Sequence, residues 1–230
     1  MHRRRAQRLQ VTRQRQQQLQ GVVHLHGGQR QAAGQGAGLE AGLFGPGSGL
    51  GLPDSTWYGN PDKHEVLEAY RAHVSATLVL SGMPPDAAAR SSHDIVSLER
   101  ALAAASLPFA AYATDPGAYH NPVSPAEAHT QTPTIDWQQF FRAQGVEPPA
   151  TFSLGMPGFF RGMDALLGGV PLDTWKAYLR FHATDNAAPC LASAFVDQHD
   201  AYHGGVLKGR RSRVPRFARV MGIIQQHAGD

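Results

Sequence analysis

Apolar positions from Lys63 onward recur at helical spacing. Val66, Tyr70, Val74 and Leu78 fall four residues apart, on one face of a helix, and Gly82 is a natural stop. Pro84 and Pro85 open a second helix at about residue 86. It is striped by Ile95, Leu98 and Leu102 and rich in alanine to Ala105. An irregular connection over residues 106–123 follows, and connections that long are usually packed or functional. Ser124-Pro125-Ala126-Glu127 has the form of a capping box, with proline at the first helical position. Asp136 can cap a short helix from Trp137 that carries Phe140 and Phe141.

The stretch Thr151–Leu154 alone reads as a strand. MPGFFRGMDALLGG predicts a short helix ended by its glycines. Residues 171–205 predict one long helix kinked at Pro189, and a last helix follows Pro215. The expected fold class is therefore all-α: a multi-helix lobe with at most a short β element. No internal repeat is present, and no apolar run of about 18 residues encodes a membrane span.

Composition changes the picture at the N-terminus. The formal net charge of +3 averages two unlike segments. Residues 1–50 hold seven arginines, no lysine and the single acid Glu40, a balance of +6. The other 180 residues hold 14 basic and 17 acidic side chains, a balance of −3. Ten glutamines and ten glycines in those first 50 residues leave too little apolar area to offset conformational entropy. The expected organisation is a disordered Arg/Gln/Gly-rich leader over 1–48 and a helical body over 49–230. The leader lacks the apolar core of a secretory signal. Phe44 is its one aromatic residue, so it offers no stacking platform and no convincing nucleic-acid arm.

Candidate chemistry is sparse. Zinc hydrolysis wants two histidines four apart on a helix, a glutamate after the first, and a third ligand from elsewhere. HEVLE at His64–Glu68 has Glu68 where the second histidine should be, and reads as a solvated first turn. HDAYH at His199–His203 is closer, but Asp200 is a methylene shorter than glutamate. Later ligand candidates are confined to His227 and Asp230. His199 and His203 are thus expected to be a decoy pair near a helix end. SSHD at Ser91–Asp94 lies within one helical run, where neighbouring side chains do not face each other. Cys190, the single cysteine, excludes an internal disulfide and is expected to be an inert core thiol. No catalytic, cofactor or metal residue is assigned.

The segments taken in order resemble the N-terminal peptidase domain of the neprilysin family of zinc metallopeptidases. LGLPDSTWY (Leu50–Tyr58) is similar to the family's LGLPxRDYY segment, and IVSLERALAAAS to its "lE..lA.a" helix. DPGAYHNPVSPAEA, IDW, MPGFF and PLDTWKAYLRFH follow in family order, then AFVDQHDAYHGGVLKG and VPRFARV. The resemblance covers about residues 49–226. It places His199 and His203 where the family has ordinary polar and aromatic residues, and Asp200 where it has phenylalanine. Ser55, Thr56 and Thr114 stand where the family usually has arginine, aspartate and arginine.

The resemblance implies zinc in the intact family, short peptides as substrates and an extracytoplasmic setting. The family's HExxH helix and downstream glutamate have no counterpart here. The expectation is a truncated or fragmentary metallopeptidase, supplying part of the helical substrate-restricting lobe, inactive alone and partnered by a missing zinc-bearing half. The alternative is a non-catalytic helical module that binds a peptide or protein.

Overall fold

The computed structural model describes residues 49–114 and 120–228. The leader over 1–48, the Asp115–Tyr119 part of the DPGAYHN segment and Asp230 lie outside the described residues. Two 3₁₀ turns, Ser55–Tyr58 and Pro61–Lys63, lead into α1, His64–Leu80. Then come α2, Pro85–Ala105; α3, Phe109–Thr114; strand β1, Pro122–Val123; α4, Pro125–Gln131; and α5, Trp137–Ala143. Strand β2, Phe152–Ser153, precedes α6, Pro157–Gly169, and α7, Leu172–Ala187. The chain ends through α8, Ser193–His199; a π-helical segment, Asp200–Val206; and α9, Arg216–Ala228.

Helices α1 and α2 form an antiparallel hairpin with the most extensive packing of any helix pair. Its turn is a Schellman motif: Gly82 N–H donates to the Val79 carbonyl at 2.9 Å and Met83 N–H to the Leu78 carbonyl at 3.0 Å. Gly82 has φ +94°, a left-handed conformation that favours glycine. The expected face of α1 is the observed one, with Tyr70, Val74 and Leu78 fully buried. Helix α2 is central, packing on α1, α6 and α7 through Ala88, Ile95, Leu98 and Leu102. Burial of each of Ile95, Leu98 and Leu102 contributes about 1.5–3 kcal/mol by leaving water.

Among the described residues, one β element pairs Pro122 with Ser153 and Val123 with Phe152, antiparallel. It carries Phe152 into an aromatic cluster with Trp137, Phe141 and Phe160, whose rings meet at centroid distances of 5.1–5.4 Å. Both expected helix starts beside it are present. Ser124 accepts from Glu127 N–H while Glu127 reaches back to Ser124 N–H, and Asp136 accepts from Gln139 N–H at 2.9 Å.

Three expectations are corrected. Residues 171–205 are not one kinked helix: α7 ends at Ala187 and a 3₁₀ turn, Ala188–Cys190, follows. Leu191 is then extended before α8 begins. Pro189 lacks the N–H that would continue the ladder, and the chain breaks rather than bends there. Cys190 consequently leaves the core and is exposed. The connection over 106–123 is not wholly irregular, because its alanine-rich FAAYAT segment forms α3.

Candidate functional site

Two of the buried carboxylates, Glu99 and Asp185, organise the polar contacts between the helices. Helix α1 contributes Tyr70 and His73, and α7 contributes His182 and Asp185. Each pair is spaced i, i+3 and so points in one direction from its helix. At the first level lies Glu99 of α2, 0% exposed. Its Oε2 accepts from the Tyr58 hydroxyl at 2.6 Å and from Gly51 N–H at 3.4 Å. Its Oε1 accepts from the Tyr70 hydroxyl at 2.8 Å and pairs with His182 Nε2 at 2.8 Å.

This level ties the LGLP segment to the helices. Tyr58 accepts from Gly51 and Leu52 N–H at 3.0 and 3.1 Å, and the Tyr178 hydroxyl donates to the Gly49 carbonyl at 2.7 Å. A Cβ on Gly51 would overlap the Tyr70 hydroxyl, so only glycine lets the loop approach this closely. Burial, and then the Glu99 charge, push the phenols of Tyr58, Tyr70 and Tyr178 well above their ordinary pKa. They are neutral donors at any physiological pH. Both Glu99 oxygens are saturated from within the chain, which suits a structural hub rather than a group that meets substrate.

At the second level, Asp185 lies between two imidazoles. His73 Nε2 is 2.9 Å from Oδ1 and His203 Nε2 is 2.8 Å from Oδ2. His73 is buried, stacks on Tyr202 at 4.6 Å, and meets the Gln198 amide at Nδ1, 3.1 Å away. Burial alone would raise the Asp185 carboxyl, but the hydrogen bonds from His203 and His73 hold it well below the usual carboxylate range. His199 stacks on His203 with centroids 4.2 Å apart. Burial, then the neighbouring His203, lower its pKa to about 4, so its ring is neutral at pH 7. The buried Tyr202 hydroxyl has no hydrogen-bond partner among the described residues.

The pair singled out from sequence thus parts company. His203 joins the Asp185 level, His199 only covers it, and Asp200 is tied to Arg210 at 2.6 Å. With Asp200 so committed, HDAYH does not fit a hydrolytic zinc site, which needs its acid beside the metal-bound water. Glu68 of HEVLE pairs with Arg71 in the first turns of α1. Ser92 of SSHD donates to the Ala89 carbonyl at 2.8 Å, away from any base. Glu99, His73, His182 and Asp185 were not identified from sequence. The signal available was polar residues at i, i+3 on the apolar faces of α1 and α7.

A second feature is a groove of about 800 Å³ between the Pro189–Val196 segment and α9, lined by Cys190, Leu191, Arg213 and Ile224 among others. Next to it, α9 exposes Phe217, Val220, Met221 and Ile224, Phe217 by 76%.

The sequence profile described as peptidase family M13, N-terminal part, matches residues 42–230. A search of curated proteins gives no match. Two solved structures of the Mycobacterium tuberculosis zinc metalloprotease Zmp1 are similar to this chain. The inhibitor complex has a TM-score of 0.74 at 26% identity, over 80% of this chain and 28% of that one. The open state has a TM-score of 0.73 at 25% identity, over 77% and 28%. A partially open state shares the fold at 22% identity, with a TM-score of 0.69 over 89% and 32%. The chain therefore spans about 28% of the length of the first relatives it matches.

Proposed function

From the premise that this chain belongs to peptidase family M13, we propose that it serves as the helical lobe of a peptide-cleaving zinc metallopeptidase. The lobe encloses the substrate, while the zinc and the groups that activate water come from outside the described residues. The observation that carries this reading is the match in fold to two structures of the zinc metalloprotease Zmp1 over more than three quarters of the chain. The Asp200–Arg210 pair supports the same reading, because it leaves HDAYH without an acid for a bound water. When bound in an intact relative, zinc supplies Lewis-acid activation of water. The residues described here would shape the space around the peptide and are assigned no proton transfer.

We further propose that residues 49–230 form one domain and that the Arg/Gln/Gly-rich 1–48 segment is a separate leader. Peptides are the substrate class on this reading. An extracytoplasmic setting follows from the family alone. Among the described residues no helix is long and apolar enough to cross a membrane.

The purified chain with added zinc is expected to leave a short internally quenched peptide uncut. Mixing it with a polypeptide that carries the HExxH half of an M13 peptidase is expected to give chelator-sensitive cleavage. Zinc-dependent turnover by the chain alone would overturn the assignment of roles. A second reading, a helical module that docks a peptide or protein without catalysis, is favoured by the apolar face that α9 exposes beside the 800 Å³ groove. Failure of complementation together with saturable peptide binding would select it.

A further inference from the structure

The geometry points to a divalent transition-metal site at His73, Asp185 and His203, independent of the proposed peptidase role. The three side chains come from α1, α7 and the π-helical segment, and their ligand atoms all lie within 4.8 Å of one another. Two imidazoles and one carboxylate form a donor set suited to zinc or its borderline neighbours, not to magnesium or calcium, which want oxygen alone.

The spacing of the three ligand atoms is close to what a cation needs. Metal–nitrogen and metal–oxygen bonds of about 2.0–2.2 Å place tetrahedral ligands roughly 3.3 Å apart. The observed His73–Asp185 and His203–Asp185 separations are 2.9 and 2.8 Å, so a few tenths of an ångström of opening admits the ion. Among the described residues the ion-pair partners of Asp185 are these histidines, with no lysine or arginine to neutralise it. A buried carboxylate, 8% exposed, needs a countercharge.

An outer shell of the kind metal sites require is also present. A ligating histidine donates its other ring N–H to an oxygen. The Gln198 amide sits 3.1 Å from His73 Nδ1, and a half-turn of that amide presents Oε1 there. His73 then carries its proton on Nδ1 and aims the Nε2 lone pair at the shared centre. His203 is delivered by a seven-residue π-helical stretch, Asp200–Val206. Such widened turns are rare and concentrate at functional positions. The stacked His199 ring covers the same imidazole, while the 28% exposure of the His203 side chain leaves an entry path.

The test is titration of the full chain, free of any histidine tag, with zinc by calorimetry and with cobalt(II) by visible absorption. One zinc per chain is expected, with the intense visible bands of four-coordinate cobalt, unaffected by millimolar magnesium. His203→Asn keeps the side chain polar and should weaken zinc binding by at least about 100-fold, since outer-shell partners alone are worth 10–100-fold. Gln198→Leu should cost that smaller amount. Zinc should raise the melting temperature of the parent chain and not that of His203→Asn. Equal zinc affinity in the parent and His203→Asn would overturn the site. If that variant does not fold, the cobalt spectrum of the parent chain decides, and the absence of four-coordinate bands overturns it.

Discussion

Tyr58 donates to Glu99 at 2.6 Å across 41 residues of chain, and the same hydroxyl accepts from Gly51 and Leu52 N–H. One phenol thus passes the charge of a fully buried carboxylate to a loop backbone. Glu99→Leu removes the acceptor of the Tyr58 and Tyr70 hydroxyls in the core. Leaving a buried donor unsatisfied costs about 1–3 kcal/mol, and a loss of at least that size is expected from the urea midpoint at unchanged m-value. Glu99→Gln keeps one oxygen acceptor and should lose roughly half as much.

Two of the glycines of α6, Gly162 and Gly168, respond in opposite directions. A Cβ at Gly162 would overlap the Ala105 methyl at the end of α2, whereas one at Gly168 meets nothing within 4 Å. Gly162→Ala forces α6 away from α2 and is expected to destabilise by about 1–3 kcal/mol, the usual cost of overpacking. Gly168→Ala restricts the unfolded chain at no steric cost and should stabilise by about 0.4–1 kcal/mol. Thermal melts of the two variants beside the parent chain check both signs.

What was legible in the sequence is what local chemistry fixes. The α1 face, the Ser124 and Asp136 caps and the glycine stop at Gly82 each depend on residues within a turn or two, and each is found. The break at Pro189 is not legible in the sequence, because proline permits either a kink or a chain break and the choice depends on what α8 packs against. Glu99 and Asp185 were invisible for a related reason. A glutamate in LERALA reads as solvated until helices 29 to 83 residues away bring Tyr70 and His182 to it. His199 and His203 have the spacing of a ligand pair, while the partners of His203 lie at His73 and Asp185, on other elements.

The α4 capping box gives a pH signature. Hydrogen bonds from Ser124 N–H and the Ser124 hydroxyl lower the Glu127 pKa. A carboxyl depressed in the folded state contributes stability that is present above its unfolded pKa and lost as pH falls through its folded pKa. The parent chain should therefore exceed Glu127→Gln in stability at pH 7. The gap should close through the acidic range below the ordinary carboxylate value. Ser124→Ala, which removes the cap itself, is expected to cost about 0.5–2 kcal/mol. Denaturant midpoints measured from pH 7 down to pH 3 follow both effects.

Cys190 offers a direct check on the chain break after α7. Within one continuous helix its thiol would pack in the core and resist reagents. The 3₁₀ turn instead exposes it at the edge of the groove beside α9. As the only cysteine, it makes the count unambiguous. One equivalent of thiol should react with an aromatic disulfide reagent under native conditions, at a rate within about tenfold of that in denaturant, because exposure and thiolate fraction set the rate. A native rate lower by several orders of magnitude would mean that Pro189 kinks a buried helix after all.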